Sequence, residues 1–177
     1  MQNQKSSFEL FQNLNHGDLY KSISRPIIIA DNLRTPENMG SVLRLAGNIG
    51  AQKTLFISET AHQFKKHKIK RTASGAFDKT NWKIINYNEL QNEIPDDYKL
   101  ILLETTEQAK NIFSFKFPEK TALVVGNEMH GIRQELLDQT KQHLYIPLPG
   151  PVSSLNATHA LSVALFEWYR QMIVKIS

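Results

Sequence analysis

Three short segments hold most of the side chains able to bind or transform a ligand. Asn38 to Arg44 (NMGSVLR) joins an amide to a guanidinium, Gly126 to Gly131 (GNEMHG) sets a carboxylate between glycines, and Ser154-Leu155-Asn156 closes a proline-rich loop. The third has the plainest physical logic. Pro147, Pro149 and Pro151 hold φ near one value and forbid regular helix, while Gly150 reaches angles that other residues avoid. Asn156 suits the N-cap of the apolar run that follows. A rigid loop with polar side chains and unpaired N–H groups at a helix start fits an anionic or polar ligand, although a plain strand-to-helix turn has the same composition. A fourth cluster, Lys65, Lys66, Lys68, Lys70 and Arg71, falls within seven residues and runs into RTASGAF. It reads either as a contact to a phosphate backbone or as a solvated charged loop.

These groups need elements to position them. Short apolar runs predict strands at 26–30, 54–57, 82–87, 100–103, 122–125 and 145–146, with Asp31 and Asn32 breaking the first. Thr35 as cap and Pro36 as first residue open a helix whose core face is Met39, Val42, Ala46 and Ile49, closed by Gly50. Further helices are expected at 88–94, 133–139 and 156–176. Ahead of the first strand, 1–25 reads as an N-terminal extension with a short helix built on Phe8, Leu10, Phe11 and Leu14 and ended by Gly17. The alternation predicts an α/β fold: a mostly parallel sheet with helices on both faces. All three segments then sit at a strand's C-terminal end or a helix start, where open α/β sheets place ligands. The last helix has two apolar stripes, Leu161, Ala164, Leu165, Trp168 and Met172 on one side, Phe166 and Ile173 on another. One covers the sheet; the other predicts contact with a second copy.

Composition narrows the classes. The 177 residues show no repeat and no linker, so 1–177 reads as a single domain. There is no cysteine, which excludes disulfides and thiolate zinc sites. No apolar run approaches the roughly eighteen residues of a membrane span, and the first residues lack an apolar signal core. A soluble, cytoplasmic protein is the expectation. The net charge is +4 with a pI near 9.2, a mild excess made meaningful by its clustering. Gly126 to Gly131 continues into Ile132-Arg133, not Lys then Ser or Thr, which argues against a nucleoside triphosphatase. The six histidines lack metal-ligand spacing, and Ser153 and Ser154 lack a nucleophile elbow.

In order along the chain, N-x-G-x-x-x-R, G-N-E-x-x-G and I-P-x-x-G-x-x-x-S-L-N resemble the three motifs of the SpoU/TrmH family, the RNA 2′-O-ribose methyltransferases of the SPOUT superfamily. The resemblance spans about residues 26–170. It implies a SPOUT-type α/β fold with a C-terminal trefoil knot, a feature that ordinary chain-topology rules count against. It also implies S-adenosylmethionine as methyl donor and a homodimer joined through the C-terminal helix and knot region. The implied substrate is a structured RNA, tRNA first and rRNA second, with no membrane and no metal involved. A catalytically inactive RNA-binding module of the same fold is the rival.

Carried over by motif position, Asn38, Arg44, Glu128, Ser154 and Asn156 are the implied catalytic residues. Thr105, Gly126, Asn127, Ile146, Leu148 and Leu155 are the implied cofactor-binding residues; Lys65, Lys66, Lys68, Lys70 and Arg71, by their clustered charge, are the expected RNA-binding ones. Arg44 is often given the base role in this family, yet a guanidinium keeps its proton to above about pH 12. Stabilising a developing alkoxide and gripping the adjacent phosphate suit it better. Asn38 and Arg44 do not share a helical face, so they meet only if Asn38 opens the helix and Arg44 reaches back. Met129 stands where many relatives carry Gly, and His159 where many are apolar; His159 reads as an inert helix-start residue and His130 as a surface one.

Overall fold

The computed structural model describes residues 4–12, 19–60 and 63–176. Two short helices, α1 (Ser7–Gln12) and α2 (Leu19–Ser22), precede β1 (Ile27–Asp31). There follow α3 (Pro36–Ile49), β2 (Lys53–Ile57), α4 (Lys66–Ala73), α5 (Ala76–Lys79) and β3 (Trp82–Ile85). Next come α6 (Leu90–Glu93), β4 (Lys99–Leu103), β5 (Lys110–Asn111) and β6 (Thr121–Val125). The chain ends with α7 (Gln134–Leu137), β7 (His143–Tyr145) and α8 (Ala157–Ile176). Leu14 and Gly17, expected in the first helix, lie outside the described residues.

The strands form one seven-stranded sheet in the order β3-β2-β1-β6-β4-β7-β5, and every pair is parallel. β1 and β6 lie near its middle and are buried along their whole length, as short, mainly apolar strands with both faces covered must be. On one face Ile28, Ala30, Phe56 and Leu123 pack against α3, α4 and α8 through Val42, Ala46, Ile69, Leu161 and Trp168. On the other, Ile27, Ile29, Leu55 and Val124 pack against the shorter helices through Leu90 and Leu136. The expected α/β architecture with helices on both faces is present.

α3 starts and stops as its sequence predicts. Thr35 accepts a hydrogen bond from the Asn38 amide at 3.1 Å, Pro36 takes a first-turn position, and Gly50 closes the helix at φ 67°. The expected stripe of α8, Leu161, Ala164, Leu165, Trp168 and Met172, is fully buried. Phe166 stays exposed and meets Tyr169 edge-on, while Ile173 is half-buried against the core.

Four expectations need correction. The basic segment is α4, not a loop, because Ile69 and Ala73 form a buried i, i+4 pair that docks on α3. Gly40 permits that contact: a Cβ there would meet the Ile69 carbonyl oxygen at 2.6 Å and Thr72 Cβ at 2.7 Å. Asp31 does not break β1 but ends it, 1% exposed, because a cation neutralises it. The two-residue β5 is too short to leave a hydrophobic pattern. Finally, the expected 133–139 helix narrows to Gln134–Leu137, and the last strand, expected at 145–146, starts two residues earlier as His143–Tyr145.

Candidate active site

The C-terminal ends of the adjacent strands β4, β6 and β7 open into a pocket of about 420 Å³, roofed by the loop 146–156. Apolar walls come from Leu103, Val125, Leu144, Ile146, Leu148 and Leu155. Thr105, Gly126 and Asn127 complete it, so all six expected cofactor-binding residues line one cavity. Glu128 and Ser154 line it too. The charged side chains of the lining are the carboxylates Glu104 and Glu128, with no Lys or Arg among them.

Residues 126–133 form a tight hairpin that presents Glu128. Asn127 and Gly131 exchange backbone bonds of 3.0 and 2.9 Å. The Asn127 side chain accepts from the amides of Met129 at 2.8 Å and His130 at 3.1 Å, and donates to the Asn32 carbonyl at 2.7 Å. Gly126 lies against the far arm of this hairpin: a Cβ there would collide with the backbone of Gly131 and Ile132. Only glycine allows so close an approach. One Glu104 oxygen accepts from the Ile132 amide at 2.8 Å and the other from the Thr105 amide at 3.0 Å, tying the end of β4 to the hairpin. Asp31 takes the Arg133 amide at 2.9 Å and its guanidinium at 2.8 Å through both Nε and Nη2. The Arg133 guanidinium also lies 4.9 Å above the Tyr87 ring.

Glu104, Asp31 and Arg133 are not among the expected site residues. Each is a polar residue at a strand end or just after a hairpin, a position that the strand-end rule for α/β sheets could have flagged.

Asn38, at the first turn of α3, donates its side-chain amide to the Glu128 carboxylate, joining the first and second motif segments. Arg34, on the preceding loop, lies against the Met129 sulfur at the pocket mouth. Met129 is 69% exposed, so its extra bulk stands at the rim. Ser154 is exposed on the roof loop. Asn156 caps α8: its side-chain oxygen accepts from the Thr158 amide at 2.8 Å and from the Thr158 hydroxyl at 2.7 Å. It does not appear in the pocket lining. His130 and His159 are both exposed, in keeping with the surface roles expected of them.

Arg44 lies apart within this chain. It is exposed two turns into α3 and lines a second depression, with Arg25, Gly47, Ser74, Lys79 and Asn81, rather than the pocket of Gly126, Ile146 and Leu155. Lys65, just before α4, and Lys66 and Lys68 on it are exposed; Lys70 pairs with Asp78 at 2.8 Å and Arg71 approaches Glu37 at 3.9 Å. Among the described residues no group of His, Asp or Glu could hold a metal ion, and no helix is long and apolar enough to cross a membrane.

Known proteins resemble this chain in sequence and in fold. Over 165 residues the chain is 29% identical to the mouse (Mus musculus) tRNA (guanosine(18)-2′-O)-methyltransferase TARBP1, covering 88% of this chain but 10% of that protein. It is 27% identical to the 23S rRNA (guanosine-2′-O-)-methyltransferase RlmB of Haemophilus influenzae, covering 90% of this chain and 67% of the relative. The chain therefore spans between a tenth and two thirds of the length of these relatives. The TrmH/SpoU tRNA modifying enzyme of A. aeolicus superposes with a TM-score of 0.77 at 21% identity, over 89% of this chain and 80% of that one, a likeness of fold. The SpoU methyltransferase AviRb of Streptomyces viridochromogenes, solved with AdoMet, superposes at 0.74 with 25% identity, over 85% and 59%. The pattern of one family extends over residues 25–166, from the start of β1 into α8, and takes in all three motif segments; the chain belongs to the SpoU rRNA Methylase family.

Proposed function

We propose that this chain transfers a methyl group from S-adenosylmethionine to a ribose 2′-hydroxyl of a structured RNA, tRNA in the first place and rRNA in the second. One observation carries the reading: Thr105, Gly126, Asn127, Ile146, Leu148 and Leu155 converge on a single pocket at the ends of three neighbouring strands. The pocket suits the donor. Its apolar walls fit an adenine ring, the close backbone at Gly126 leaves amides and carbonyls to meet polar edges, and its carboxylates complement a cation.

The donor supplies a methyl group bound to a cationic sulfur, and everything else falls to the protein. The roof loop and the apolar walls exclude water and hold the reacting atoms in line, which supplies much of the rate. Glu128, bonded to Asn38, holds the first turn of α3 against the hairpin at the pocket mouth. Ser154 offers a hydroxyl on the roof, and Asn156 holds the start of α8 so that the roof keeps its shape. Arg44 stays protonated and stabilises negative charge as the ribose hydroxyl loses its proton, which a substrate phosphate takes.

Within one chain Arg44 faces the second depression, so it reaches this chemistry from a second copy of the protein. A cytoplasmic homodimer built on α8 and a knotted C-terminal region supports that arrangement. The exposed Phe166 and Val174 of α8 give it an apolar surface. Residues 1–177 act as one methyltransferase domain, and α4 offers its lysines to RNA phosphates. Calorimetry with S-adenosylmethionine and a methyl-transfer assay on Arg44→Ala test the proposal together. Donor binding should persist while transfer falls by about 100-fold, the scale of losing one preorganised charge at a reacting oxygen. Full activity in the variant would remove this role for Arg44. Wild-type chain that binds RNA but no donor would make it an inactive binding module.

A further inference from the structure

The second depression is separate from the pocket and has opposite charge. It lies between the C-terminal half of α3, the α4–α5 turn and the chain leading into β3, with a volume of about 610 Å³. Arg25, Arg44 and Lys79 line it, and no Asp or Glu does. Several other cations of the fold are neutralised. Lys53, Lys70, Lys83, Lys120, Arg133 and Arg170 each have a carboxylate partner. Among the described residues, no carboxylate lies within ion-pairing distance of Arg25, Arg44 or Lys79.

The shape is built in. Small residues keep the floor low: a Cβ on Gly47 would meet Ala76 Cβ at 3.1 Å. Arg25 is held before any ligand arrives, donating to the Gly50 carbonyl at 2.8 Å and stacking 4.2 Å over the Tyr20 ring. The amides of Asn48 and Asn81 add donors and acceptors to the lining. One wall, Ala73 to Ala76, continues directly from α4, which carries the exposed Lys66 and Lys68 and is preceded by the exposed Lys65. Unpaired cations in a concave site focus positive potential and favour a recessed anion over a solvated one.

We propose that this depression holds one phosphorylated nucleotide of the RNA, with Lys79, Arg44 and Arg25 around its phosphate and the Asn48 and Asn81 amides against its sugar or base. The RNA running along α4 thereby enters a defined seat instead of resting on a charged face. The inference rests on the reading of RNA as substrate and deepens it: it seats the phosphate that Arg44 grips beside the reacting ribose, and adds Arg25, Lys79, Asn48 and Asn81 to the expected RNA contacts.

The test uses the full chain. Guanosine 5′-monophosphate, inorganic phosphate and a short single-stranded RNA are titrated while backbone amide shifts are followed. RNA affinity is then measured against salt for Lys79→Glu and for Lys141→Glu, an equal charge change at an exposed residue ahead of β7. The nucleotide and the RNA should move the amides of 74–81, and inorganic phosphate should do so only at several-fold higher concentration. Lys79→Glu should weaken RNA binding about tenfold and flatten the salt slope by about 1, the loss of one phosphate contact. Lys141→Glu should stay within about twofold of wild type. Three results would overturn the proposal: unmoved amides at 74–81, equal effects of the two variants, or inorganic phosphate binding as tightly as the nucleotide. A Lys79→Glu chain that changes its sedimentation but not its RNA affinity would also overturn it, assigning the surface to contact between copies. Donor calorimetry on wild type reads the methyltransferase proposal separately, because the nucleotide titration needs no donor.

Discussion

Asn38 donates its side-chain amide to the carboxylate of Glu128, closing a link between residues 90 positions apart. The bond ties the first turn of α3 to the tip of the 126–133 hairpin, so two sequence motifs act as one unit at the pocket mouth. Asn38→Ala and Glu128→Ala should each lower kcat/KM for methyl transfer by about tenfold, roughly 1.4 kcal/mol on the barrier. The double variant should lose little more than either single one, because each change already breaks the shared bond. Additive losses in a double-mutant cycle would show that the two side chains act separately.

Asp31 and Arg133 support the same hairpin from below. Asp31 is 1% exposed and its charge is met by the Arg133 guanidinium and amide. Removing Arg133 leaves a buried carboxylate uncompensated, which is costly in proteins generally. Arg133→Ala should destabilise the fold by about 3 kcal/mol in denaturant unfolding, with Asp31→Asn somewhat milder because the amide stays neutral. A change below about 0.5 kcal/mol in Arg133→Ala would mean that solvent already neutralises Asp31.

Two glycines separate donor binding from the stability of the fold. Gly126→Ala drives a methyl group into the hairpin backbone at the pocket and should weaken the donor by more than about tenfold. Gly40→Ala pushes α4 away from α3 and should cost about 1–3 kcal/mol of stability while leaving donor affinity near wild type. Calorimetry beside thermal unfolding distinguishes the two, and a donor-binding loss of similar size in both would contradict the separation.

At high pH one phenol limits the fold. Burial raises the Tyr20 pKa to about 12, with Arg25 opposing the shift, and the hydroxyl donates to the Ile49 carbonyl at the end of α3. A raised phenol contributes stability in full below its unfolded value near 10 and loses it as pH climbs through the folded value. Stability should therefore fall between about pH 10 and pH 12 in wild type and fall less in Tyr20→Phe. Denaturant unfolding across that range, beside an absorbance titration of the phenols, checks both parts.

The sequence was legible where periodicity and capping dominate. The buried apolar runs of β1 and β6, the Thr35-Pro36 start of α3 and the apolar stripe of α8 all appear where residue types put them. The pocket lining was legible for another reason: the resemblance of three motifs to one family implies that Thr105, Gly126, Asn127, Ile146, Leu148 and Leu155 meet, and they line one pocket. Three features left weaker traces. α4 looked like a loop because five cations within seven residues mask the single Ile69–Ala73 face that anchors it. Asp31 looked like a strand breaker because its partner is 102 residues away. Arg44 and its depression depend on how α3, α5 and the lead into β3 meet, and no local pattern encodes that.

The most direct measurement incubates the chain with S-adenosylmethionine carrying a labelled methyl group and with RNA from cells lacking the gene. The RNA is then digested to nucleosides for mass spectrometry. The account predicts label on the ribose oxygen of a 2′-O-methylnucleoside in tRNA or rRNA, abolished by Gly126→Ala. Label on a base, or RNA bound with no label transferred in any fraction, would contradict it.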